Sequence, residues 1–410
     1  MLYSQCYSES TRKYRKKYLS QETLTIVSKN FLPTKFLSRN LPNKIMNKIG
    51  TGPSSTSLNI SVDVVRTVAI VAVIFLHATA DLTIPQMDQV EIIRWSINDV
   101  YQSIGRIGIP LFVMLSGALL LQPEKHDTLT TFFKKRWARI GLPWIFWGIA
   151  YFAWDFLVLH NPFTTNTIVQ GILTGPYYNF WYFYLLVGLY LLTPVLRILL
   201  PKVNRSTIKR YMGFWFIGAA ILPFAGALTT YSLFENNLTS ASWIGYLLFG
   251  LAGYFILGIF LTKVRLSRPI LSILLGIGIA LTAISIYIIQ SPIGGNREIF
   301  AFTVYFGPWT ILSATALFLL LNTFKISNQN TAPHKGAKLI RVISQNTLPL
   351  ALFHLMILES FQKGYFGFAI NGNTINSIIG VPLITVITLF ISLGIILMLK
   401  KIPYLERLIG

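Results

Sequence analysis

Arg66 and His77 stand eleven residues apart in the stretch SVDVVRTVAIVAVIFLHATADL. On a helix, at ~100° and ~1.5 Å per residue, that spacing returns both to within about 20° of one face and separates them by roughly 16 Å. The residues between them are apolar, and an ionisable side chain at membrane depth costs enough to point to a site. Imidazole titrates near neutrality and serves as a general base, so the chemistry His77 suggests is proton abstraction, with a satisfied structural histidine as the competing reading. Arg66 lies near one boundary of the stretch and reads either as a snorkelling interfacial arginine or as a group that fixes an anion. Asp63 precedes it by one helical turn.

These residues must be positioned by membrane-spanning helices. Of 410 residues 53% are hydrophobic and 12% charged, with a mean hydropathy of +0.58, whereas an ordinary soluble domain carries roughly 25% charged residues. Stretches of about 20 apolar residues recur, predicting ten spans near 62–80, 103–121, 141–160, 179–200, 211–230, 241–262, 269–290, 300–322, 339–358 and 378–399. Ten Lys and Arg precede the first span. Counting span ends, alternate connections then hold five, five, three and four, and the C-terminal end three, against Arg94, Arg297 and Lys363 in the opposite connections and Arg106 at a span end there. Basic short loops stay cytoplasmic. The expected fold is therefore an all-α integral membrane bundle of about ten transmembrane helices with both termini cytoplasmic. It comprises a basic, polar tail over 1–60 that reads as disordered and cytoplasmic, a transmembrane domain over 61–400 and a short cytoplasmic end over 401–410.

Composition also excludes classes of function. The +21 charge lies between spans, so it reads as a topology signal and an attraction to the lipid bilayer rather than a nucleic-acid surface. Cys6, the single cysteine, rules out a disulfide framework and a thiolate cluster. No histidine spacing resembles a metal site, His126 and His160 reading as loop or boundary residues. The predicted topology sorts the remaining polar residues by depth. His77, Arg106, Asp155, Asn179, Trp181, His354 and Glu359 fall near the outer ends of spans. Asp63, Arg66, Lys134, Lys135, Arg136, Arg139 and Arg197 fall near the inner ends. Asp155 is placed to orient an imidazole or to pair with Arg106, and the tract YYNFWYFY reads as an interfacial aromatic belt or as sugar-stacking rings.

In several tracts the chain resembles the acyltransferase-3 family of membrane O-acyltransferases. The Arg66 and His77 spacing matches that family's first helix, and RIGIPLFVMLSGALLL, with Arg106, resembles its second. FFKKRWARIGLPWIFW resembles its cytoplasmic basic stretch, NFWYFYLLVGLYLLTPVLR its fourth helix, and SQNTLPLALFHLMIL a segment near its end. One departure stands out, since many members have a histidine where this chain has Asn179. The resemblance covers about residues 58 to 400 and is nearest to the branch that acylates surface polysaccharides.

It implies an acyl-CoA-dependent O-acyltransferase of the cell membrane with no bound cofactor. Acyl-CoA would be the co-substrate, carrying acetyl first and succinyl second, and the acceptor a hydroxyl of an envelope glycan or lipid-linked saccharide. His77 would be the general base and Arg66 would fix the donor. By depth, Arg136 and Arg139 would hold its phosphates, though positive-inside loops look the same without a nucleotide; Asp63, Arg106, Trp181, Asn179, His354 and Asp155 would line the substrates, with a structural hydrogen-bonding role as the other reading of His354. Direct transfer and an acyl-histidine intermediate both remain open. A polytopic transporter or flippase of a glycan or lipid is the rival, and it would predict internal repeats, which the two halves do not display.

Overall fold

The computed structural model describes residues 55–79, 89–122, 127–162, 164–228, 240–290, 305–323, 335–370 and 376–410. Among them there is no strand. The helices are α1 (Ser55–Ala78), α2 (Gln89–Gly105), α3 (Gly108–Leu120), α4 (Leu129–Leu157), α5 (Thr165–Thr174) and α6 (Trp181–Leu199). Then come α7 (Arg205–Phe216), α8 (Leu222–Leu228), α9 (Ser240–Leu261), α10 (Arg268–Gln290) and α11 (Pro308–Asn322). The last are α12 (Lys335–Gln345), α13 (Thr347–Gln362), α14 (Ser377–Leu399) and α15 (Leu405–Ile409). From Ser57 to Gly410 the chain packs as one unit; most of the tail expected over 1–60, together with His126, lies outside the described residues.

Among the described residues five helical stretches are long and apolar enough to cross a membrane: Ile97–Leu120, Leu129–Leu157, Thr165–Lys202, Arg268–Ile288 and Ile378–Leu399. The pair α12 and α13 makes a sixth if counted as one bent span. Two shorter apolar helices, Leu248–Leu261 and Pro308–Asn322, accompany them. The described residues thus form an all-helical membrane fold. Large hydrophobic side chains stand exposed on it, such as Leu191 at 60%, Phe214 at 70% and Met398 at 69%. A hydrocarbon phase satisfies such a surface, and helices satisfy their own backbone within it.

The helices differ from uniform spans in ways that local chemistry explains. The second expected span breaks between α2 and α3 at Arg106 and Ile107. Pro110, in the first turn of α3, has no N–H to offer the carbonyl of Arg106, so the hydrogen-bond ladder lapses there, while the apolar stretch continues as Ile97–Leu120. The ninth expected span bends by 82° between α12 and α13. Pro349 likewise leaves the Gln345 carbonyl without a donor, and the Asn346 side chain donates to the Val342 carbonyl at 2.7 Å, closing the end of α12. In the opposite sense, α4 begins twelve residues before the expected 141, because Thr128 caps it by accepting from the Thr131 amide and no helix breaker follows in LTTFFKKRWARIG. The basic stretch expected as a connection is therefore helical. The C-terminal end also folds back, with Ile409 buried and its carbonyl accepting from Trp147 Nε1 at 3.2 Å.

Close helix contacts rest on small residues. A Cβ placed on Gly117 would lie 1.7 Å from the Phe255 carbonyl oxygen, and one on Gly258 would lie 1.9 Å from that of Met114, so α3 and α9 meet backbone to backbone. Such contact is the usual basis of helix association in lipid, where apolar side chains gain little by leaving the solvent. One core gathers around α3, α9 and α11, another around α4, α13 and α14, and Phe112 and Tyr190 pack against both.

Candidate active site

Helix α1 carries Arg66 and His77 as the spacing requires, and each end meets a different cluster. At its C-terminal end the His77 ring lies 5.2 Å from the ring of His354 and 5.5 Å from that of Tyr178. His354 sits mid-way along α13 with 0% exposure. Its Nδ1 is 2.9 Å from the Leu350 carbonyl oxygen; a carbonyl only accepts, so in the neutral ring Nδ1 carries the proton and Nε2 the lone pair. That Nε2 is buried and has no hydrogen-bond partner. The cluster thus holds an imidazole of fixed tautomer with a free basic nitrogen beside a second imidazole.

Residues from the turn before α6 and from α13 hold this arrangement. Asn179 is buried and donates through Nδ2 to the carbonyls of Ala351 and Leu352, at 3.2 and 3.4 Å, bracing the turn of α13 that precedes His354. Tyr151 donates to the Leu352 carbonyl at 2.6 Å and stacks on Tyr177 at 4.7 Å between centroids. Tyr177 donates to the Glu359 carboxylate, which also pairs with Lys363 at 3.4 Å and lies beside Tyr178. Gln362 donates to the Ala78 carbonyl at 3.3 Å, tying α13 to the end of α1. Tyr177 and Tyr178 lie in the tract read as an aromatic belt or as sugar-stacking rings, whereas Tyr151 and Gln362 were not legible as site residues, because neither stands out in its tract. Glu359 was legible only by its depth.

Toward the N-terminal half of α1 the neighbours are cationic. Arg139, Asp63 and Tyr190 are the ionisable groups around Arg66, and Tyr190 in turn faces Arg136, Arg139 and Arg66. Arg136 and Arg139, three residues apart on α4, share a helix face. The Arg136 guanidinium lies 5.6 Å from the Tyr190 ring and 5.2 Å from that of Phe132, whose ring is also 5.0 Å from the Arg197 guanidinium. Asp63 accepts from Ser344 at 2.6 Å. Lys135 pairs with Asp127 at 2.8 Å, and that hydrogen bond holds the half-buried Asp127 carboxyl below the ordinary range. Lys134 and Arg139 are exposed. A cavity of about 650 Å³ adjoins this cluster, lined among others by Asp127, Phe132, Arg197 and Lys263.

The structure thus brings Arg66, Arg136 and Arg139 together around Tyr190, and His77 and His354 together about 16 Å away along α1. Three expected site residues lie outside both clusters. Asp155 accepts from Asn161 at 2.7 Å and meets neither histidine nor Arg106 in a described hydrogen bond or ion pair. Trp181 and Arg106 flank Tyr305, at 6.2 Å between ring centroids and 5.5 Å from guanidinium to ring. His160 is exposed in a left-handed backbone conformation, φ 56°, as a loop residue. No group of three or more potential metal ligands exists among the described residues.

A profile described as an acyltransferase domain, that of the acyltransferase-3 family, matches residues 59–397, from α1 almost to the end of α14. The chain belongs to the acyltransferase-3 family. Family membership makes it a multi-pass membrane acyltransferase. No curated protein and no solved structure matches it significantly. Within an acyltransferase-3 protein, both clusters of α1 fall inside the matched region, as do Arg106, Trp181 and Glu359.

Proposed function

We propose that this protein moves an acyl group, acetyl first and succinyl second, from cytoplasmic acyl-CoA to a hydroxyl of an envelope glycan or lipid-linked saccharide. In this reading ten spans cross the cell membrane with both termini cytoplasmic, which the alternation of basic connections supports. The carrying observation is that one helix, α1, joins an arginine cluster at one level, through Arg66, to a histidine pair at the other, through His77. Arg66, Arg136 and Arg139 receive the phosphates of the donor, for which guanidinium forks are suited. The thin pantetheine arm runs along α1 and delivers the thioester to His77.

His77 takes the proton of the acceptor hydroxyl as its oxygen attacks the thioester carbonyl. The C–S bond then breaks, the proton passes from His77 to the leaving thiolate, and the ester and free coenzyme A separate. General-base catalysis of this kind contributes typically ~10²- to 10⁴-fold. An acyl-histidine intermediate balances equally well, and ping-pong kinetics would mark it.

The test is transfer of label from radiolabelled acetyl-CoA to a crude envelope-glycan acceptor by purified protein in nanodiscs, with His77→Ala and Arg66→Ala alongside. Label in glycan only with His77 intact is the expected result. Wild type that neither binds nor consumes acetyl-CoA or succinyl-CoA would send the reading to the transporter class.

A further inference from the structure

Helix α2 carries a buried polar stripe. Asn98 and Asp99 are 2% and 1% exposed, and Gln102 and Arg106 are half-buried. Asp99, Gln102 and Arg106 follow at intervals of three and four, and Asn98 and Gln102 at four, so they share one helix face. Arg106 donates to Gln102 Oε1 at 2.8 Å. Both carboxylate oxygens of Asp99, Oδ1 of Asn98 and Nε of Arg106 are nonetheless buried without a hydrogen-bond partner. Asp99 and Arg106 lie within electrostatic reach of each other, yet they form no ion pair among the described residues. An unpaired buried carboxylate is costly, and such groups persist where something else pairs with them.

The stripe reaches His77 by two routes. Gly105, at its end, lies against the residue before His77: a Cβ there would be 2.7 Å from Leu76 Cβ. From Arg106 the rings of Tyr305 and Trp181 follow at 5.5 and 6.2 Å. Trp181 directly succeeds the turn Tyr178–Phe180, whose Tyr178 ring is 5.5 Å from that of His77.

We infer that this face of α2, with Tyr305 and Trp181, is the subsite that takes a saccharide and leads one of its hydroxyls to His77. The inference rests on the acyl-transfer reading above. Sugar hydroxyls donate to Asp99 and to Asn98 Oδ1, while Arg106 Nε donates to a hydroxyl or ring oxygen, and the rings offer apolar faces to a pyranose. Asp99 and Arg106 are seven residues apart, about 10 Å along the helix, a reach comparable to the length of a disaccharide. The mixture of acceptors and donors decides the class: Asp99 repels a phosphate, and Arg106 repels a metal ion.

Saturation-transfer NMR with methyl glycosides and disaccharides as probes, on wild type, Asp99→Asn and Asp99→Leu in nanodiscs without donor, tests this. Wild type should bind, and both variants should bind at least about tenfold more weakly, the loss expected for a hydrogen bond to a charged group. Asp99→Leu should melt at or above the wild-type temperature, because it removes an orphaned charge, whereas a structural role for Asp99 predicts a fall. Equal saccharide binding by all three proteins, or none by wild type, overturns the assignment. Wild type that binds saccharide but neither binds nor consumes acetyl-CoA would remove the acyl-transfer reading alone and leave the subsite standing.

Discussion

The imidazoles of His77 and His354 lie 5.2 Å apart, centroid to centroid, although 277 residues separate them. The contact exists because α13 starts afresh after the bend at Asn346 and returns past the end of α1, where Gln362 grips the Ala78 carbonyl. If the two rings act as a unit, their removal should not be additive. His77→Ala is expected to lower kcat for label transfer ~10²- to 10⁴-fold. The double variant with His354→Ala should be no worse than His77→Ala alone. Multiplicative losses would show two independent contributions.

The arginines around Tyr190 should govern the donor. Arg136→Ala is expected to raise KM for acetyl-CoA about tenfold or more, with a smaller change in kcat, because each lost charge-assisted hydrogen bond contributes about 1.5–3 kcal/mol. Arg136→Lys should restore only part of the affinity, since an ammonium cannot offer a planar fork. Unchanged KM in both variants would remove Arg136 from the donor site.

Tyr177 and Glu359 form a hydrogen bond under the histidine pair, with Glu359 8% exposed. Tyr177→Phe should lower stability by about 1–3 kcal/mol, because a buried carboxylate loses one of its donors. Glu359→Gln should be milder, as a neutral amide still accepts from Tyr177. Thermal unfolding of the three proteins in one detergent measures the order, and a larger effect of Glu359→Gln would contradict it.

Backbone contact between α3 and α9 leaves no room at Gly117. Gly117→Ala is expected to cost about 1–3 kcal/mol by overpacking, since its methyl would meet the Phe255 carbonyl oxygen. Gly394→Ala on α14, where a Cβ meets nothing within 4 Å, should be neutral or stabilising, as alanine favours helix over glycine by ~1 kcal/mol. Melting temperatures that fall equally in both would place the cause elsewhere than in this contact.

The proposed topology is open to chemical labelling. With Cys6→Ser as background, Arg297→Cys should react with an impermeant maleimide in intact cells, and Lys401→Cys only after permeabilisation. The reverse pattern would invert the orientation, and equal labelling of both would break the ten-span topology.

By itself the sequence determined the class of the protein and the axis of its site. Long apolar stretches can only be helices in lipid, because no water there satisfies a free backbone, so an all-helical membrane fold follows from composition and hydropathy. The spacing of Arg66 and His77 likewise put both on one face of one helix, since helical geometry is local. What the rest of α1 meets is a matter of contacts between distant segments. Pairing of His77 with His354, gathering of Arg136 and Arg139 around Tyr190, and the stripe of Asn98 and Asp99 beside Arg106 all depend on helix breaks and on the close approach of helices. Prolines at 110 and 349 marked where helices could break, but the direction each new helix takes is set by what it packs against. Asp155 shows the same limit from the other side: its depth matched the histidines, yet a local hydrogen bond to Asn161 holds it, and depth alone carries no information about azimuth.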